Sequence, residues 1–189
     1  MNNFFDISDL NKEQIYEIFN IENSNKFLEG KTIGLIFEKP STRTRISFSV
    51  AINQLGGRVI DLNYENLNIS RYESFEDTFK AMNCYLDGLI FRTEKHQKLI
   101  DASKFFKKNI INALSDKSHP CQILSDIFTL KEKFNTLKIN IIWMGDINNV
   151  CYSLYEAAQI IDDINLQICS DETLFKNLDW DKNKNIKFS

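Results

Sequence analysis

Thr32-Ile33-Gly34-Leu35-Ile36-Phe37-Glu38-Lys39-Pro40-Ser41-Thr42-Arg43-Thr44-Arg45 carries an apolar strand directly into a polar helix start. Thr32 to Phe37 reads as a strand, and from about Thr42 to Leu55 the pattern is amphipathic, closed by Gly56 and Gly57 as stop signals. Hydroxyls, backbone N–H groups and two guanidiniums therefore crowd one helix N-terminus. Such an end offers unpaired donors and a partial positive charge, Ser41 suits the N-cap, and arginine grips phosphate oxygens in bidentate fashion. The outline is that of a phosphate site; the plainer reading is a capped surface helix with solvated arginines. Arg43 and Arg45, two apart, point in different directions, so one can face a ligand while the other serves structure or a subunit contact.

Outward from this stretch, strand and helix alternate. Ser8 to Phe19 is amphipathic, Arg58 to Leu62 is a short strand, and Ser74 opens Ser-x-x-Asp, a relative of the capping box, before a helix to about Leu86. Gly88 to Phe91 and Asn109 to Leu114 read as strands, with helices near His96 to Phe106 and Pro120 to Phe134. The pattern then restarts: Ile139 to Met144 is a continuous apolar run, as in a strand buried on both faces, followed by a helix from about Val150 to Ile161 and a strand from Leu166 to Cys169. After one more short helical segment, Ile-Lys-Phe-Ser looks like a strand beginning. The expected fold is α/β, a parallel sheet flanked by helices plus an incomplete second α/β domain, with ligands gathered at the carboxyl ends of strands. The predicted division is 1–134 and 135–189, bridged by the helix Pro120 to Phe134. Two strands and one long helix cannot cover both faces of a sheet, so a fragment or a truncated gene product is expected.

Composition narrows the function classes. The 189 residues are 43% hydrophobic and 26% charged, with a net charge of −3 and a pI near 5.5. A mildly acidic chain without a Lys/Arg block is a poor candidate for binding nucleic acid or an anionic membrane, so its arginines need a local explanation. No apolar stretch approaches the roughly 18 to 20 residues that span a bilayer, and the N-terminus lacks a basic signal-peptide region, so a cytoplasmic location is expected. Cys84, Cys121, Cys151 and Cys169 show no zinc-like spacing with His96 or His119, and read as reduced, mostly buried thiols. Pro40 and Pro120 each stand at a helix entrance.

Two more polar clusters sit just after strands. In His119-Pro120-Cys121-Gln122 the imidazole and amide are three residues apart, on one face of a first helical turn, and can point at one small ligand. Read alone, His119 is as well explained as a helix-entry hydrogen-bond partner. In Phe91-Arg92-Thr93 an arginine ends a strand, either solvated or aimed at an anion.

Together and in this order, these segments resemble the carbamoyltransferases of the aspartate and ornithine type. Phe37-Glu38-Lys39-Pro40-Ser41-Thr42-Arg43-Thr44-Arg45 is similar to their carbamoyl-phosphate loop, and Asn112 to Gln122 to their second signature, with Arg92 at the family's strand-end arginine. Gly145-Asp146-Ile147-Asn148-Asn149-Val150 is similar to the ornithine enzymes' Gly-Asp-x-Asn-Asn-Val, which implies that Asn149, with Asn148 as the neighbouring possibility, touches ornithine; an Asn pair there also suits a helix cap.

The resemblance implies that Ser41, Thr42, Arg43, Thr44 and Arg92 hold the phosphate, and that Thr44, Arg92 and His119 surround the carbonyl oxygen. Gln122 would accept from the carbamoyl NH2. The implied catalytic set is Arg92, His119 and Gln122. The neutral δ-amine of ornithine would attack, a tetrahedral intermediate would collapse, and phosphate would leave, giving citrulline without metal or organic cofactor. Implied partners are carbamoyl phosphate and ornithine, with a homotrimer for the complete enzyme and no nucleic acid or membrane.

Asn68 stands where ornithine enzymes usually carry Gln, in a loop that reaches a neighbouring subunit's carbamoyl-phosphate site, and Ser70 replaces a Gly. Methionines occur only at 1, 82 and 144 and histidines only at 96 and 119, so the family's later Ser-Met-Gly and His-Cys-Leu-Pro segments are missing. Alternative readings are another acceptor (aspartate, putrescine or an acylated ornithine) or a non-catalytic anion-binding or subunit-interaction fragment.

Overall fold

The computed structural model describes residues 3–21, 26–67, 69, 72–175, 180 and 185–189. In chain order the elements are β1 (Asn3–Phe4), α1 (Lys12–Phe19), β2 (Thr32–Phe37), α2 (Thr42–Gln54), β3 (Arg58–Asn63), α3 (Phe75–Tyr85), β4 (Gly88–Arg92), α4 (His96–Phe105), β5 (Asn109–Leu114), α5 (Pro120–Phe134), β6 (Ile139–Met144), α6 (Asn149–Ile160), β7 (Ile164–Cys169), α7 (Glu172–Phe175) and β8 (Ile186–Phe188). By contacts the chain divides into two units, Met1–Phe5 with Ile21–Asp116, and Asp6–Asn20 with Lys117–Ser189. This is a division by packing. It leaves α5 with the second unit.

The first unit is a five-stranded parallel sheet in the order β1-β5-β4-β2-β3. Its inner strands alternate faces, as the period of two requires. Ile33, Leu35 and Phe37 of β2, Ile90 of β4 and Ala113 of β5 form one core with Ile52 of α2. Ile36, Leu89, Phe91 and Ile110 form the other with Phe79 and Met82 of α3, Leu86, and Leu99 and Ala102 of α4. Hence α2 covers one face while α3 and α4 cover the opposite one. Gly34 is tightly packed on that face: a Cβ on it would lie 2.6 Å from Cδ1 of Leu86, the residue after α3, and 3.2 Å from Cδ1 of Leu89 on β4.

This arrangement creates the crevice that matters. Strands β2 and β4 are neighbours, yet the chain leaves β2 for α2 on one face and leaves β4 for α4 on the other. A topological switch point of this kind opens a gap at the carboxyl ends of the two strands. Beside the end of β4 the register shifts: Asn112 pairs Phe91 and Leu114 pairs Arg92, which leaves Ala113 as the extra residue of a bulge on β5.

Local signals act as the sequence suggests. Ser74 accepts the Asp77 N–H at 3.0 Å as N-cap of α3, Gly56 takes φ +84° after α2, and Pro120 is the first residue of α5. β1 has only two residues, too few for any periodicity, and is not legible in the sequence. The thiols are less buried than expected: Cys151 is buried, Cys121 and Cys169 are half-buried, and Cys84 is exposed.

The second unit holds the parallel sheet β6-β7-β8. Helix α6 is its centre, with Cys151, Ser153, Leu154, Tyr155, Glu156, Ala157 and Ala158 all buried. Strand β6 differs from expectation: Ile142 is 61% and Met144 80% exposed, because one face of this strand has no covering element among the described residues.

Polar groups also enter this core. Glu156 accepts the Ile7 N–H at 3.1 Å and the Ser8 hydroxyl at 2.8 Å, while Lys117 pairs with Asp6 at 2.5 Å. Burial, joined by the Asp6 charge, raises the Glu156 carboxyl above its ordinary value against the pull of Ser8 and Lys117. The folded chain thus holds a proton there more tightly than the unfolded one, so this group's contribution to stability falls as pH rises from the ordinary carboxylate range through the raised value. We expect Glu156→Gln to flatten that fall in melting temperature, scanned from about pH 4 to about pH 8. An unchanged slope would refute it.

Candidate functional site

The switch-point crevice receives the first cluster. Ser41 occupies the N-cap of α2 with extended backbone, φ −155° and ψ 107°, but its side chain makes no capping bond to the helix. Its Oγ instead accepts from Arg92 Nη1 at 3.2 Å. The first-turn N–H groups of α2 are therefore not consumed by the cap, and no acidic residue stands in that turn. Thr42 and Arg43 are exposed and Thr44 is half-buried. Arg43 makes no ion pair among the described residues, so its guanidinium is available to an anion.

Arg92 is the inner wall of this site. It is half-buried, its Nε is shielded from water without a hydrogen-bond partner among the described residues, and burial lowers its pKa. Guanidinium remains charged at any physiological pH, so an unsatisfied buried N–H on it costs free energy until an acceptor arrives. Arg45 goes elsewhere: it pairs with Asp61 of β3, its Cζ 4.7 Å from the centroid of the Phe37 ring. Of the two helix arginines, Arg43 is thus the one left for a ligand.

His119, Gln122, Asn148 and Asn149 belong to the second unit. His119 precedes Pro120 at the start of α5, is half-buried, and donates its backbone N–H to Ser153 Oγ at 2.9 Å. Ser153, fully buried on α6, is a supporting residue that the sequence reading missed; its position four residues after Asn149, on one helix face, was the available signal. Gln122 is exposed, and its Nε2 donates to Asp126 Oδ1 at 2.9 Å, one turn along α5. Its carbonyl oxygen is not engaged by that bond. Burial pushes the Cys121 and Cys151 thiols to about 12, which makes both inert as nucleophiles at neutral pH.

The asparagine pair divides. Asn148 caps α6, its Oδ1 accepting the N–H groups of Val150 at 2.9 Å and Cys151 at 3.1 Å. Asn149 is the first helical residue, half-buried and outside that cap. Gly145 takes φ +126°, a backbone turn open to glycine, and leads from β6 into this corner. Asn68 and Ser70 lie outside the described residues. Among sequence-predicted residues, the structure brings Ser41 and Arg92 into contact.

Comparison with known proteins agrees with this geometry. Residues 2–132 match the family described as aspartate/ornithine carbamoyltransferase, carbamoyl-P binding domain. An ornithine carbamoyltransferase of Methanocorpusculum labreanum is 43% identical over 166 residues, covering 82% of this chain and 54% of the relative. Among solved structures, ornithine carbamoyltransferase from Pyrococcus furiosus superposes with a TM-score of 0.83 at 34% identity, covering 93% of this chain and 61% of that one. The catalytic subunit of M. jannaschii aspartate transcarbamoylase does so with a TM-score of 0.82 at 30% identity, covering 100% of this chain and 67% of that one. The chain spans about half the length of the curated relatives it matches. With a switch-point crevice walled by Ser41 and Arg92 and a match running through it as far as α5, the chain belongs to the aspartate/ornithine carbamoyltransferase family.

Proposed function

We propose that this chain is the carbamoyl-phosphate half, with the opening of the acceptor half, of an ornithine carbamoyltransferase working in the cytosol on the route to arginine. In this reading residues 1–134 form the carbamoyl-phosphate domain and 135–189 begin the ornithine domain. The observation that carries it is the Arg92–Ser41 contact at 3.2 Å beside a buried guanidinium Nε without a partner among the described residues. A dianion is the ligand such a corner satisfies, because guanidinium and helix-start N–H groups match phosphate oxygens in charge and direction.

The residue roles follow from side-chain chemistry and the family reading. Ser41, Thr42, Arg43 and Thr44 hold the phosphate with Arg92, and Asn68 contributes from its loop. His119 donates to the carbamoyl carbonyl oxygen with Arg92 and Thr44, stabilising charge that develops as the neutral δ-amine attacks the carbonyl carbon. Gln122 Oε1 accepts from the carbamoyl NH2. The tetrahedral intermediate then collapses, the bond from carbon to the bridging phosphate oxygen breaks, and phosphate leaves with the electron pair while the amine loses its proton. Asn149, with Asn148 fixing the helix start beside it, receives the amino-acid end of ornithine.

Ornithine is favoured over aspartate, putrescine or an acylated ornithine by Gly145-Asp146-Ile147-Asn148-Asn149-Val150 and by the names of the relatives. The overall fold does not separate acceptors, since an aspartate enzyme superposes as well as the ornithine ones. A homotrimer built through the first unit is part of the proposal. Ile46 and Val50, one turn apart on α2, are 56% and 48% exposed, and an apolar groove of about 290 Å³ runs between β3 and α3, lined by Ile60, Leu62, Ala81, Met82 and Tyr85. Apolar surface of this kind marks an interaction face.

Three measurements check this function. Inorganic phosphate or carbamoyl phosphate should raise the melting temperature, and Arg43→Ala should remove the rise; a mutant that still responds sinks the assignment of Arg43. Fused to a complete ornithine domain, the chain should make citrulline, and His119→Ala in that fusion should lose about 10²- to 10³-fold in rate. A fusion that carbamoylates aspartate instead overturns the acceptor. Sedimentation of the chain should give a trimer that Ile46→Glu converts to monomer; a monomeric parent chain contradicts the assembly.

A further inference from the structure

Glu38 stands where β2 ends and the phosphate-site loop begins, and its side chain is only 4% exposed. Three donors hold the carboxylate. Lys98 Nζ of α4 reaches Oε1 at 2.7 Å, while the Thr93 hydroxyl and the Glu94 N–H both reach Oε2 at 2.8 Å. The Glu38 N–H donates to the Arg92 carbonyl at 3.0 Å. One residue on the β2 exit thus spends its N–H and both carboxylate oxygens on the β4 exit and the helix that follows it. Lys98 in turn lies 5.4 Å from the Tyr64 ring centroid, just beyond β3.

Stability alone is a weak reason for this cluster. Withdrawing a carboxylate from water costs about as much as pairing returns, and an apolar contact would serve a strand end as well. An ion pair has something an apolar contact lacks, a fixed partner and direction. The carboxylate is kept charged: burial works to raise its pKa, but Lys98, the Glu94 N–H and the Thr93 hydroxyl outweigh burial and leave it lowered. Three residues on from Glu38 is Ser41, and the residue before Thr93 is Arg92, so the clamp joins the two segments that meet in the candidate site. Beyond the strand pairing of Phe37 with Arg92, the other ties between these exits among the described residues are the Glu38 to Arg92 backbone bond, the Arg92 to Ser41 bond and an exposed Lys39–Glu94 pair at 3.2 Å.

We propose that Glu38, held by Lys98 and Thr93, is a positioning residue for the anion site, locking the exit of β2 to that of β4 so that Ser41 and Arg92 converge on one phosphate. The proposal rests on the phosphate-site reading, and Glu38 itself touches no ligand. Its role is directional. An ordinary structural ion pair would stabilise the fold and leave phosphate affinity alone.

Calorimetric titration of inorganic phosphate into the 189-residue chain separates the two. Glu38→Gln keeps an acceptor for Thr93 and Glu94 but loses the charge facing Lys98, and should weaken phosphate binding about tenfold, the size typical of losing a partner that orients a ligating group. Thr93→Val, which removes one hydroxyl and leaves the ion pair, should weaken it less and in the same direction. In an Arg92→Gln background Glu38→Gln should cost no further affinity, since no convergence remains to be lost. Unchanged affinity in Glu38→Gln, or equal losses with and without Arg92, overturns the positioning role alone. If Glu38→Gln does not fold, unchanged affinity in Thr93→Val has the same force. A parent chain that fails to bind phosphate brings down the site reading and this proposal together.

Discussion

The hydrogen bond from Arg92 Nη1 to Ser41 Oγ brings together, at the candidate site, two chain segments that leave one sheet toward opposite faces. Without adjacency of β2 and β4 there would be no contact, and without divergence of α2 and α4 there would be no gap beside it. Both conditions come from burial. Ile33, Leu35 and Phe37 commit one face of β2 to α2, while Ile36 commits the other to the core built by α3 and α4. The crevice is therefore a consequence of how apolar residues alternate, and its chemistry is set by the few polar residues at the strand ends.

Charge in this protein is arranged locally. A chain of net charge −3 attracts no polyanion at large, yet the first turn of α2 carries Arg43 and Arg45 and no acid. Arg45 is paired with Asp61 and Lys98 with Glu38, whereas Arg43 and Arg92 make no ion pair among the described residues. Selective pairing of this kind gives direction to a small positive field.

The second unit follows a different rule. Its central helix α6 is buried nearly all round, yet it admits Glu156 and Ser153, because each finds backbone partners: the N–H of Ile7 for the one and of His119 for the other. Buried polar groups are tolerated where they are bonded, and here those bonds tie α6 to both the N-terminal segment and the entrance of α5. Asn148 spends its side chain on the helix start, accepting the N–H groups of Val150 and Cys151.

Much of this was legible in the sequence. Alternating apolar runs and capped helices give the parallel α/β class, while the two long signatures offer Ser41, Thr42, Arg43, Thr44, His119 and Gln122 as candidates and a strand end offers Arg92, because strand period, cap chemistry and motif spacing are all local properties. Other features depend on residues far apart in the chain and have no local signal. These include β1 pairing β5, Arg45 turning to Asp61, the Ser41 hydroxyl turning from its helix to Arg92, and Glu38 meeting Lys98 sixty positions on. Ile139 to Met144 shows the same limit, for apolarity alone predicts burial on both faces, whereas exposure depends on what lies against the strand. Residue order determined which groups could bind an anion; only folding decided which were already taken, because a hydrogen bond or ion pair commits a side chain to whatever the tertiary arrangement sets beside it.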